Sequence, residues 1–177
     1  FSTTYGETNQ GQGIFEQLAI YDIKNQQLEK ITKESYGHYN PTFSKDGKKI
    51  LYESTKSSPD YHGSLMIWLL NLETSEQNKA VELLRNNLID AKSPNWINNN
   101  EFLFQGKNVD YTVNIFKKSL NSNKTEPIIE SPWDDYNPSI SPDKKRIAFI
   151  SNRSGRNEVW LYNCENKSYM QLTGYLE

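Results

Sequence analysis

A chain of 177 residues suits one ordinary domain or part of a larger one. Twenty Lys and Arg against twenty-two Asp and Glu leave a formal charge of −2 with no block of like charge, which argues against electrostatic capture of nucleic acid or of an anionic membrane surface. One cysteine, Cys164, excludes an intrachain disulfide framework and a multi-cysteine metal cluster; two histidines, His38 and His62, narrow metal chemistry further, and no apolar run reaches the ~18 residues of a membrane span. Because the chain begins at Phe1, it is expected to be a processed or excised piece of something longer.

In chain order the apolar stretches are short and rich in β-branched and aromatic residues: 18–21, 50–52, 65–70, 102–104, 147–150 and 159–162. Asn, Gly, Ser, Asp or Pro bounds each one, the pattern of strands joined by tight turns. Residues 76–85 form the one helical candidate, with Ala80, Val81 and Leu84 able to share a face. The rest of the chain is expected to be all-β.

The strands repeat. Asn40-Pro41-Thr42-Phe43-Ser44-Lys45-Asp46-Gly47 and the apolar run after it recur as Asn137-Pro138-Ser139-Ile140-Ser141-Pro142-Asp143-Lys144, with a worn copy beginning at Ser93-Pro94-Asn95-Trp96. A second landmark follows at a similar phase: Ile67-Trp68-Leu69-Leu70, Ile115-Phe116-Lys117-Lys118 and Val159-Trp160-Leu161-Tyr162. Leu18-Ala19-Ile20-Tyr21 is an earlier copy of it. Each unit holds four strand-like pieces, and four antiparallel strands per ~40–50 residues make the blade of a β-propeller. Blades are expected at roughly 1–35 (partial), 36–86, 87–130 and 131–173, an incomplete ring of about three full blades and one partial. Proline suits the innermost strand, whose channel edge donates no ladder hydrogen bond.

These residues resemble the TolB-like (PD40, WD40-like) propeller repeat. The likeness rests on Asn-Pro-x-Phe/Ile-Ser-x-Asp-x-Lys, then Ser151-Asn152-Arg153-Ser154-Gly155, Val159-Trp160-Leu161-Tyr162 and Gln171-Leu172-Thr173. It is strongest in the last unit and extends over nearly the whole chain, a little over half of such a ring. The resemblance implies a bacterial periplasmic or otherwise extracytoplasmic domain. Such domains occur as accessory proteins and as sensor modules of membrane-bound transcriptional regulators. Similar propellers also filter substrate for prolyl-oligopeptidase-like serine peptidases, which would require a catalytic domain that this chain does not contain.

Blade topology puts loops 54–64, 105–112 and 151–157 on one face with connections 33–39, 86–93 and 130–136. From these the candidate binding residues are Tyr36, His38, Tyr61, Trp133, Asp134, Asp135, Arg153 and Arg156. Trp68, Trp96 and Trp160 are expected in the core, Tyr39 and Tyr136 between blades, and Asp46 and Asp143 as turn formers. Arg153 also fits a structural hydrogen-bonding role, and Cys164 a small apolar filler. No nucleophile elbow, zincin motif, phosphate loop or dinucleotide fingerprint occurs. The reading is therefore non-catalytic, with no metal and no cofactor. The partner is a protein or peptide, this segment touches neither nucleic acid nor membrane, and open end blades favour self-association.

Overall fold

The computed structural model describes residues 2–5, 15–56, 64–74, 80–82, 88–122 and 124–174. Fifteen strands occur among them, and no helix. The first sheet is the antiparallel meander β1 (Ser2–Tyr5), β2 (Phe15–Asp22) and β3 (Gln27–Lys30). The second runs β4 (His38–Phe43), β5 (Lys49–Ser54), β6 (Met66–Asn71) and β7 (Ala80–Glu82). The third is β8 (Leu88–Trp96), β9 (Glu101–Asn108), β10 (Val113–Ser119) and β11 (Thr125–Ile129). The fourth is β12 (Asp135–Ile140), β13 (Arg146–Ser151), β14 (Glu158–Asn163) and β15 (Tyr169–Gln171). Each sheet contains only consecutive strands. The helical candidate at 76–85 is corrected where it is described: Ala80–Glu82 forms β7 against β6. Three residues on a strand edge have no room for a helical turn, and the rest of that candidate lies outside the described residues.

The chain divides into two compact units, 1–85 and 86–177. In the second unit one core joins its two sheets. Leu103, Ile115 and Ile129 of the third sheet meet Ile147, Phe149 and Tyr162 of the fourth. In the first unit the core includes Leu18, Ala19 and Ile31 with Ile50, Leu51, Tyr52, Ile67 and Trp68. Strand β5 is buried at five consecutive positions, having lost the alternation of a half-covered strand, whereas β13 alternates buried with half-buried residues. Trp68 and Trp96 are buried as expected; Trp160 is only partly so.

The Asn-Pro landmark has a backbone cause. Asn40, Ser93 and Asn137 all adopt positive φ, 48°, 54° and 48°. At each, the innermost strand gains one residue over its neighbour: Tyr39 to Thr42 spans Glu53 to Leu51, Lys92 to Asn95 spans Gln105 to Leu103, and Tyr136 to Ser139 spans Ile150 to Ala148. This is a β-bulge repeated in three sheets, and Asn tolerates the left-handed conformation it requires. The Asp turns form as expected. Ser44 Oγ donates to Asp46 Oδ1 at 2.6 Å and Lys48 N–H to the same oxygen at 3.1 Å, and Ser141, Asp143 and Lys145 repeat the arrangement. These donors hold both aspartates ionised below the usual carboxylate range. The threonine ending the outer-strand motif also recurs in role: Thr32 Oγ1 accepts from Leu18 N–H and Thr173 Oγ1 from Val159 N–H, both at 2.8 Å.

Candidate functional site

In each four-stranded sheet the loop after the second strand leaves from the end where the first strand starts. In the fourth sheet Asp135 opens β12 opposite Ser151, which closes β13. Asp135 is fully buried, and its Oδ1 accepts from Arg153 Nη2 at 2.9 Å while its Oδ2 accepts from Ser131 Oγ at 2.8 Å. Arg153 Nε donates to Ser151 Oγ at 2.9 Å. The guanidinium, 9% exposed, lies among four rings, with its carbon 4.4 Å from the Tyr169 centroid, 5.0 Å from Phe149, 5.1 Å from Trp160 and 5.8 Å from Trp133. A cation so placed is both paired and cradled by π faces.

The second sheet builds the same position from different residues. His38 faces Ser54 in the register, and Tyr52 faces Trp68 as Phe149 faces Trp160. His38 is fully buried, edge-on to Tyr52 at 5.3 Å, with Nε2 3.4 Å from Glu34 Oε2. Glu34 also takes Lys56, whose ammonium lies 5.3 Å from the Trp68 ring. Burial pushes the imidazole below its ordinary value, against the attraction of Glu34. In the third sheet the position is apolar. Ala91 faces Gly106, and a Cβ on Gly106 would come within 2.9 Å of the Phe116 ring, which stacks on Phe104 at 5.5 Å. One site in the repeat is thus filled by an acid–guanidinium pair, by a His–Glu–Lys cluster, or by a phenyl ring over glycine.

Other contacts hold the connections on this face. Gln17 Nε2 donates to the carbonyls of Glu34 and Tyr36 at 2.9 and 3.0 Å. Asn114, at the equivalent place in the third sheet, accepts from Ser131 N–H at 3.1 Å. Asp134 Oδ1 accepts from Val113 N–H at 3.2 Å, and its own N–H donates to Asn152 Oδ1 at 3.1 Å. The connection bearing Trp133 is thereby tied to the base of the β9–β10 hairpin. That hairpin presents Val109 and Tyr111, both about two-thirds exposed, with Lys107 Nζ 4.7 Å from the Tyr111 ring. Trp133 is 45% exposed.

Among the candidate residues, Tyr36, Trp133 and Arg156 are exposed, Asp134 is half-buried, and Tyr61 lies outside the described residues. Arg153, His38 and Asp135 lie beneath the surface, and the strand register turns the last two side chains into the sheet interior. Tyr136 and Asp134 are coupled; burial and a hydrogen bond to that carboxylate raise the phenol. Tyr39 folds its hydroxyl over Gly37, where a Cβ would lie within 2.2 Å of it. Sequence reasoning singled out neither Val109 nor Tyr111, although both fall within the 105–112 loop. Among the described residues no three His, Cys, Asp or Glu side chains gather where a metal could sit.

No family model matches the chain. Solved structures do match. TolB from Acinetobacter baumannii superposes with a TM-score of 0.72 at 21% identity, covering 90% of this chain and 38% of that one. The β-propeller domain of the Trilobed protease from Pyrococcus furiosus gives 0.68 at 13%, over 99% of this chain and 51% of that one. A puromycin-hydrolyzing peptidase of Mycobacterium tuberculosis gives 0.70 at 11%, over 97% and 28%. The four meander sheets therefore have a β-propeller fold. TolB is one of the proteins that share this fold, and the chain spans less than two-fifths of the length of the Acinetobacter protein.

Proposed function

We propose that the chain is a non-catalytic propeller domain that binds a protein or peptide through the loop face of its blades, and that it works outside the cytoplasm. One observation carries this reading: exposed Trp133, Tyr111 and Val109 stand on two loops joined by the Asp134–Val113 hydrogen bond. The ion pair of Arg153 with Asp135 underlies Trp133. Exposed aromatic side chains on a stiff support are the residue type that anchors interfaces, because little conformational freedom is lost on binding. Tyr36 and Arg156 extend the same kind of face, and Asp134 supplies its acid. Likeness to TolB supports the extracytoplasmic placement, and a sensor module of a membrane-bound transcriptional regulator is one setting for it.

Peptides selected on the chain from a random display library provide the test. Trp133→Ala and Tyr111→Ala are each expected to weaken the selected peptides about tenfold or more, since truncating an anchoring aromatic costs over ~1.4 kcal/mol. Unchanged affinity in both variants would overturn the assignment of the face. Likeness to peptidase propellers favours a second reading, in which the domain filters substrate for a prolyl-oligopeptidase-like catalytic domain. Labelling of the full-length parent protein by a fluorophosphonate would select that reading.

A further inference from the structure

The opposite end of the second unit, where the tight turns lie, holds a feature that partner binding does not use. A cleft of about 390 Å³ opens between the third and fourth sheets. Its floor is apolar and buried, formed by Leu103 and Ile147, and Ile128 and Ile140 wall it. Charged side chains around it are mostly paired. Lys117 lies 3.7 Å from Glu101 and 3.5 Å from Glu126, Lys145 lies 2.8 Å from Glu165, and Arg146 lies 3.6 Å from Asp143. Lys144 and Lys167 border the cleft and have no ion-pair partner among the described residues. Their stems rise from two hydrogen-bonded turns, with Lys144 N–H on Ser141 O at 2.8 Å and Lys167 N–H on Asn163 O at 2.9 Å. Two cations with no ion-pair partner among the described residues, at the mouth of a buried aliphatic cleft, complement a ligand with one anionic end and one hydrocarbon end. The volume admits a single small molecule. Pro127 in the wall has no N–H to offer a peptide backbone, which favours a ligand that is not a peptide.

We infer that this cleft binds a short aliphatic carboxylate, with its chain against Leu103, Ile147, Ile128 and Ile140 and its carboxylate between Lys144 and Lys167. This is independent of the loop-face reading, because no residue is shared.

Cys164 lines the same cleft and is the only thiol of the chain, so it reports occupancy directly. The experiment follows alkylation of Cys164 by N-ethylmaleimide at pH 8.5 while octanoate is added below its micellar concentration. Saturating octanoate is expected to slow the reaction at least tenfold, and octylamine to leave it unchanged. Lys144→Gln with Lys167→Gln, both on exposed turns, is expected to weaken octanoate about tenfold, the effect of losing two exposed charge contacts. Absence of protection, acceleration of the reaction, equal protection by octanol or octylamine, or an octanoate affinity unaltered by the double variant would each overturn the site.

Discussion

Replacing Asp135 by Ala would leave the Arg153 guanidinium 9% exposed and without its carboxylate. Removing one member of a buried pair typically costs about 3–5 kcal/mol, because the surviving charge is stranded. Here Ser151 Oγ still accepts from Nε, and four aromatic rings still surround the cation, which places the expected loss near the lower end, about 3 kcal/mol. With a urea slope of about 2 kcal/mol/M, the midpoint of the second unit would fall by roughly 1.5 M. Tryptophan fluorescence follows this unit, since Trp133 and Trp160 both lie against Arg153. The double variant Asp135→Ala with Arg153→Met removes both charges and keeps an apolar stem beneath the rings, and it should regain most of the loss. If the single variant stays within about 1 kcal/mol of the parent, or the double variant is no better than the single, the pair is not what supports the loop face.

In the first unit the native state disfavours protonation of His38, because burial lowers its pKa from 6.5 while Glu34 only partly opposes this, with Lys56 and Tyr52 facing the same ring. The unfolded chain therefore takes up the proton first, and stability should fall as the pH drops through 6.5 and below. Urea midpoints at pH 7.5 and 5.0 should differ more for the parent than for His38→Asn, and equal differences would refute the assignment. Gly106→Ala should destabilise by about 1–3 kcal/mol, because its Cβ meets a ring pinned by stacking; a neutral effect on the thermal midpoint would contradict the packing.

The strand landmarks were legible because they are local: Asn-Pro, the Asp turn and the apolar runs recur along the chain, and all lie on strands or turns where expected. The bulge was not legible as a bulge, since Asn40 and Asn137 advertise positive φ but Ser93 does not. Pairing of Asp135 with Arg153 depends on which residues the register sets side by side across 18 positions, information that composition does not hold. For the same reason the kinship of His38 with Asp135 emerges only when their partners, Ser54 and Ser151, are aligned by strand pairing. Tyr111 was hidden in a loop whose sequence has no repeat partner. Its exposure follows from the hairpin turn, where Tyr111 N–H donates to Asn108 O at 2.9 Å.

Amide hydrogen exchange of the chain with and without a selected peptide tests the functional account most directly. Slowed exchange confined to 108–113 and 131–135, with the tight-turn segments at 143–145 and 165–168 unchanged, is the result expected if the aromatic loops hold the peptide. Protection at those turn segments, or along the outer strands β11 and β15 alone, would contradict it.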